Sequence, residues 1–466
     1  TTFQTGQTIA TRDAAGNLTG TGGIIPGYTD RFTAIRPVTT STVNLSTRNQ
    51  YKDGETVTIQ IGGVHRYKRL DIDYDGYKSN SKTNYAGQRL LDYTARGIGF
   101  TIDTRDRWEY PIVTQTDGPD ITKISAYTEN NYSIARNVGW DGYLGASLNV
   151  KKQFESAVPT YIKTGLRWRE QTRRNEMHPW TGSYVGPDRV MGVNPATGIN
   201  DDNLAQFGQA PPGRFHNDYI KYPALPHPAY PGRGNNLIDD AIDKTPQYFA
   251  QNIAANVQSE LTGNTNFKEE ISAYYLMGNM AIGKLSVLGG FRVETTKTCG
   301  EAALQAISPA ERARRAAIVG TLTNDEIRRR TIAEFSGRQI RSGEYRDLLP
   351  GLHFKFSPFP ALVTRASYAT NIGRPAVGQL LPRTNVNYDN QTVSSSNPSL
   401  KPQTANNFDA TAEYYFEPAG VVSAGVFLKE IKRFIYSAGG AVIPAGQDNG
   451  FDGEYAGFTY TTQYNG

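Results

Sequence analysis

The sequence predicts an all-β fold, an antiparallel up-and-down transmembrane β-barrel present in part, with about 12–14 strands and long extracellular loops. Three observations predict it. Segments of about 10 to 14 residues alternate apolar and polar positions, which is longer than the ~5–6 residues of an ordinary strand. They come in pairs joined by a few residues, and long polar stretches join the pairs to one another. The composition agrees: 28 Tyr, 19 Phe and 47 Gly stand beside only 38% hydrophobic residues and a mean hydropathy of −0.52. Aromatics and glycine with few aliphatics suit alternating strands and turns better than helices with wide apolar stripes.

The first half carries "STVNLSTRN", "ETVTIQIGG", "KRLDIDYDGYKS", "GIGFTIDTR", "GYLGASLNVKKQF" and "TYIKTGLRWREQ", each of which alternates. In the last, Ile162, Leu166 and Trp168 oppose Lys163, Arg167 and Arg169. The second half is clearer. "NFKEEISAYYLMG" (266–278) meets "GKLSVLGGFRVETT" (283–296) across the link "NMAI", with Ile271, Ala273, Tyr275 and Met277 on one face of the first strand. Leu285, Val287, Phe291 and Val293 share a face of the second, and Arg292 and Glu294 lie opposite. "LPGLHFKFS" and "LVTRASYAT" flank the turn "SPFPA", and "NFDATAEYYF" and "VVSAGVFLKEI" flank "EPAG". Residues 172–265, 297–341 and 372–403 are the long connections. Alternate connections of an up-and-down sheet lie at opposite ends, so one end carries the large loops and the other the tight turns. Within one loop, "SPAERARRAAIVGTLTNDEIRRRTIAEF" (308–335) has the Ser-Pro start and periodicity of one or two short helices.

Several function classes fall away. A single cysteine, Cys299, excludes a disulfide framework and Cys-rich metal or redox motifs. The formal charge of +5, from 49 basic and 44 acidic residues, is too balanced for a nucleic-acid partner, and the Arg-rich helices read as solvated faces. No run of 18 apolar residues forms a transmembrane helix, which leaves transmembrane strands untouched. No H-E-x-x-H, G-x-S-x-G or phosphate-binding loop occurs, and Asp239 and Asp240 read as solvated, so the sequence predicts no enzyme and no cofactor. Aromatics near strand ends, such as Trp168, Tyr414 and Tyr436, suit a girdle at lipid headgroups.

At "YRDLLPGLHFKFSPFPALVTRASYATNIGRPAVGQLLP" (345–382) the chain closely resembles TonB-dependent outer-membrane receptors: Leu349-Pro350 precedes an outgoing strand that carries Arg365-Ala366 and ends at Arg374-Pro375. Asn397, Pro398, Leu400, Lys401, Pro402, Asn407 and Asp409 match the approach to the next strand, and Phe427, Lys429, Ile431 and Phe434 its return. The resemblance covers residues 266–466 firmly and the preceding ones in general character, and 1–466 is read as one barrel domain. It implies a 22-stranded barrel in the outer membrane of a Gram-negative cell, plugged by an N-terminal domain. It also implies uptake of a scarce bulky solute such as a siderophore, cobalamin or glycan, energised by a TonB complex that acts through the plug. The opening "TTFQTGQTIATRDAAGNLTG" and closing "YTTQYNG" lack a plug motif and a terminal aromatic, so the expectation is a fragment of the barrel. A passive porin and a secreted all-β glycan-binding or glycan-cleaving protein are the alternatives.

Candidate ligand contacts concentrate in 172–265, where His178, Trp180, Tyr184, Arg214, His216, Tyr219 and Tyr230 could stack on sugars or clasp anionic groups, with Tyr222 and His227 beside them. The histidines lack metal-ligand spacing, so no metal site is predicted. Asp71, Asp73, Arg167, Arg169, Arg292, Glu294, Arg365, Asp409 and Glu413 are expected to face a polar lumen, and the apolar faces to meet membrane lipid. "DIDYDGYKSNSK" imitates the start of a calcium loop, but Lys82 stands where that loop needs a bidentate Glu. Leu70, Ile72 and Tyr74 alternate with Asp71, Asp73 and Asp75, so the stretch reads as a strand over 68–78.

Overall fold

The computed structural model describes residues 2–4, 8–49, 51–109, 111–203, 205, 241–447, 450–451 and 453–466. Their packing separates into two units, one drawn from residues 1–53, 85–137 and 178–256, the other from 54–84, 138–177 and 257–466.

The second unit is built on one continuous antiparallel run of neighbours. Thr160–Met177 pairs with Thr265–Ile282, which pairs with Leu285–Leu304, then Gly337–Phe359, Leu362–Gly373, Gln403–Phe416 and Gly420–Lys432. Leu70–Arg96 and Glu129–Phe154 extend the same sheet. Each ladder places same-face residues opposite one another, so apolar positions fall into rows: Ile282, Leu285 and Phe356 at the turn end, Leu276, Phe291 and Pro350 further along, then Tyr274, Val293 and Leu348. Beyond that last row the same face turns polar, with Ser272, Thr295 and Arg346, and then Glu270, Lys297 and Glu344. The apolar band thus covers 274–282, 285–293 and 348–356, and recurs at 408–416 and 420–428. Nine residues per strand match the roughly 9–11 that a tilted transmembrane strand needs. Ile282, Phe354, Val422 and Val426 of the band are exposed. Near the turn end Phe359, Tyr414 and Phe416 form an aromatic group, with ring centroids 6.5 and 6.4 Å apart in sequence.

Three sequence expectations change here. The strand expected over 266–278 runs on through "NMAI" to Ile282, and the turn is Gly283-Lys284, with Gly283 at φ +56° as a two-residue hairpin requires. Its face bearing Ile271, Ala273, Tyr275 and Met277 is the one shared with Arg292 and Glu294, because Tyr275 pairs with Arg292 and Ala273 with Glu294. "GIGFTIDTR" is no wall strand: Gly99–Asp103 joins Phe32–Ile35 and Ile112–Asp117 in a three-stranded antiparallel sheet of the first unit. There Ile35, Val43, Leu45, Tyr93, Phe100, Ile121, Tyr127 and Tyr132 form a fully buried core.

The aspartates of 71–75 lie in the long strand Leu70–Arg96. Asn149 Nδ2 donates to Asp73 Oδ1 at 2.6 Å, Ser147 bonds Asp75, and Tyr275 Oη donates to Asn149 Oδ1 at 2.8 Å. Gly165 makes room for this chain. A Cβ there would stand 2.6 Å from the Tyr275 ring and 2.7 Å from the Leu148 carbonyl, and would meet Asn149 Oδ1. Exposed Tyr74 lies on the opposite face.

Loop 305–336 holds the two expected helices. Pro309–Ala316 starts on Ser308, whose hydroxyl accepts from the Glu311 amide, and Asn324–Phe335 on Thr323, which accepts from the Glu326 amide. The arginines are more than a solvated face. Arg314 bridges Glu311 and Glu326 at 2.7 and 2.9 Å, Arg315 bridges Glu311 and Glu334 at 2.9 and 3.1 Å, and Arg330 binds Glu326 at 2.7 Å. Hydrogen bonds from Arg314 and Arg315 hold Glu311 down at about 2, and those from Arg314 and Arg330 do the same for Glu326. Depressed carboxylate values stabilise the folded loop above the ordinary value of 4.5, and that contribution is lost as pH falls from there towards about 2.

Two outcomes follow from this arrangement. Acidification from pH 5 towards about pH 2 is expected to lower the amide protection factors across 309–335, with each rate taken relative to the unfolded chain at the same pH, before those of the wall strands fall, read by hydrogen–deuterium exchange. Val426→Lys, within the apolar band, is expected to cost about 2–4 kcal/mol in lipid vesicles by denaturant unfolding, against less than ~1 kcal/mol for Thr411→Lys on the other face.

Candidate functional site

The face opposite the apolar band collects the charges. Alternation puts Arg292 and Glu294 side by side on it, two residues apart, and register sets Glu294 directly against Asp347 of the next strand. Both carboxylates are about 6% exposed. Arg292 binds Glu294 Oε2 through Nε and Nη2 at 2.9 and 2.8 Å, and Arg374 takes the remaining oxygen, Oε1. Arg374 directly follows Gly373, the last paired residue of Leu362–Gly373, and Pro375 after it has no amide donor with which to continue the ladder. Arg433, held at φ +56° between two strands, donates to Asp347 Oδ1 at 2.9 Å. Asp347 Oδ2 and Arg374 Nε are buried and have no hydrogen-bond partner among the described residues. The cluster can therefore still receive one donor and offer one.

Other expected polar-face residues are distributed along the strands. Arg169 binds Glu269 at 3.3 Å, and Gln171 and Arg173 both bond Asp141, at 2.9 and 2.7 Å. Arg167 lies opposite Ala273. Arg365 binds Glu413 at 2.7 Å, and Asp409 pairs with Ser367 on one side and Phe427 on the other. Asp73 is tied to Asn149 as described, and Asp71 is one pleat along. Phe267 on this face packs under Leu380, Leu381 and Leu400, so the loop that begins at Arg374 folds onto it.

The aromatic candidates fare differently. Trp180 and Tyr184 belong to the short strand Trp180–Tyr184, and both rings pack edge-on against Phe249, at 6.0 and 5.3 Å. Their faces are used in the first unit's core. His178 is exposed and its backbone amide donates to the Arg136 carbonyl at 2.9 Å. Arg214, His216, Tyr219, Tyr222, His227 and Tyr230 lie outside the described residues. Asp347, Arg374 and Arg433 were not singled out as site residues by sequence. Asp347 was within reach, since extending the period back from Leu352 places it opposite the apolar row.

The wall thus carries an apolar band on one face and paired charges on the other. The model described as TonB dependent receptor-like, beta-barrel matches residues 66–466. The chain belongs to the TonB-dependent receptor β-barrel family. No curated protein matches it. Solved structures similar to this TonB-dependent receptor barrel include the closed form of the ferric-catecholate import receptor Fiu from E. coli K12, at 13% identity, 92% of this chain, 54% of that one and a TM-score of 0.35. The alcaligin outer-membrane receptor FauA from Bordetella pertussis is 10% identical over 95% of this chain and 52% of its own, with a TM-score of 0.33. A double mutant of the Serratia marcescens hemophore receptor HasR, in complex with its hemophore HasA and heme, is 11% identical over 93% and 58%, with a TM-score of 0.30. The chain spans about half the length of these receptors.

Glu294 is where the receptor barrel concentrates the cost of a single change. Glu294→Ala strands two guanidiniums that now share one buried carboxylate, and is expected to destabilise the wall by about 3 kcal/mol. The drop should register as a lower denaturant midpoint in lipid vesicles, with Asp409→Ala changing it little.

Proposed function

We propose that residues 1–466 form one barrel domain of an outer-membrane receptor in a Gram-negative cell. The receptor takes up a scarce, bulky solute, a siderophore, cobalamin or glycan, and a TonB complex supplies the energy through a plug segment of the whole protein. The observation that carries this reading is the two-faced wall: a nine-residue apolar band sized for lipid, backed by a face of paired charges suited to water and polar solutes. The charged face is then the lumen, with Asp71, Asp73, Arg167, Arg169, Arg292, Glu294, Arg365, Asp409 and Glu413 along it. Ligand contact falls to the loops, including His178, Arg214, His216, Tyr219 and Tyr230. No chemistry on the solute is required; the barrel binds and passes it.

In a Gram-negative host deleted for its own receptors, the full-length gene product is expected to restore uptake of one of these solutes only when TonB is intact. Equal uptake without TonB would make it a passive pore. A product that fractionates as a soluble protein without detergent would overturn the membrane reading altogether.

A further inference from the structure

We infer that the large cavity on the loop side of the second unit is a binding site for a multiply charged oxyanion, a solute carrying two or more carboxylate or phosphate groups. The inference deepens the receptor reading and rests on it for biological meaning. The cavity holds about 800 Å³, within the range of small-molecule sites, and Arg338, Arg341, Arg383, Ser342, Ser399 and Tyr455 are among its walls.

The charge balance decides what it takes. Arg338 is committed to Glu301 at 2.9 Å and to two backbone carbonyls. Glu454, the one carboxylate among the described lining residues, is held by Arg312 through both oxygens at 3.0 Å. Arg341 donates only to its neighbour's carbonyl, Ile340 O, at 3.2 Å, and the Arg383 guanidinium has no partner among the described residues. Among the described residues, two uncommitted cations therefore face the cavity with no uncommitted carboxylate to answer them. Guanidinium forks match carboxylate and phosphate oxygens in pairs, and hydroxyls such as Ser342 and Ser399 add neutral donors. Arg383 also borders a second cavity of about 410 Å³ lined by Ser394, Ser395, Ser396 and Thr461, so one guanidinium serves two hydroxyl-rich spaces.

The walls are fixed in advance. Gln305 exchanges two hydrogen bonds with the Val386 backbone at 2.7 and 3.1 Å, and Ser395 bonds Tyr460 at 2.6 Å. Tyr388, Phe451, Tyr455, Phe458 and Tyr460 pack around Val386, Val393 and Ile443 behind them. A ligand would meet ordered donors, which limits the entropy lost on binding.

The test is calorimetric titration of the purified full-length receptor in detergent with citrate and with pyrophosphate, and with sucrose as a neutral comparator. Saturable binding of at least one anion and none of sucrose is expected. Arg341→Gln/Arg383→Gln should weaken it by about tenfold or more, the loss of charge-assisted bonds worth at least ~1.4 kcal/mol. Arg328→Gln/Arg329→Gln, which removes the same charge from an exposed helix, should leave affinity unchanged. Equal weakening in both double variants would reduce the effect to diffuse attraction and overturn the site, as would the absence of saturable binding by either anion. Heat-modified gel migration matching the parent shows that each variant is folded. Equilibrium binding needs no TonB: lost binding with TonB-dependent uptake intact sinks this site alone, and retained binding with TonB-independent uptake sinks the receptor reading alone.

Discussion

The hydrogen-bond ladder between adjacent strands is the constraint on which everything else depends. In lipid a backbone amide or carbonyl has no water to turn to, so each must be answered by the neighbouring strand. Once the ladder is continuous, register is no longer free, and register decides which side chains meet. Glu294 stands against Asp347 because Leu285 stands against Phe356 nine pairs away. The apolar rows and the charge cluster are two readings of the same pairing. A wall of this kind cannot adjust one face without moving the other.

Two buried carboxylates side by side would repel unless cations were brought to them. The strand pair itself supplies only Arg292; Arg374 and Arg433 arrive from chain segments just beyond the ends of other strands. The same ion pairs therefore neutralise the wall and anchor the chain that leaves it. Above the band, the loop layer has its own means of order: capped helices stitched by shared glutamates, and an aromatic core around Val386 and Val393. Long loops are usually the least ordered part of a protein. Loop 305–336 and the segment around Val386 and Val393 are built as small packed bodies.

Much of the wall was legible in the sequence, since period two reports directly on a sheet with unlike faces. Leu285, Val287 and Phe291 against Arg292 and Glu294, or Phe408, Ala410 and Ala412 against Asp409 and Glu413, leave little choice. Thr265–Ile282 was harder because both its faces are apolar: Ile271, Ala273 and Tyr275 on one, Tyr274, Leu276 and Met280 on the other. Only the partner strand's charges tell them apart. Arg292 and Glu294 were legible, but their assembly into a cluster was not, as its members come from 292, 294, 347, 374 and 433 and meet through topology rather than spacing. Trp180 and Tyr184 show the converse: in a stretch rich in Pro and Gly they look like ligand contacts, yet the local fold uses them as core.

Alternation has a blind spot that Gly165 covers. Sliding a strand by one residue turns every side chain to the wrong face and is heavily penalised, but sliding it by two restores the pattern of faces. The Thr160–Met177 strand would then bring Lys163 or Arg167 beneath the Tyr275 ring, where the packing leaves no room even for a Cβ. The missing side chain thus acts as a notch that a single tooth fits, and it sorts the native alignment from the two-step errors that hydrophobicity alone would accept.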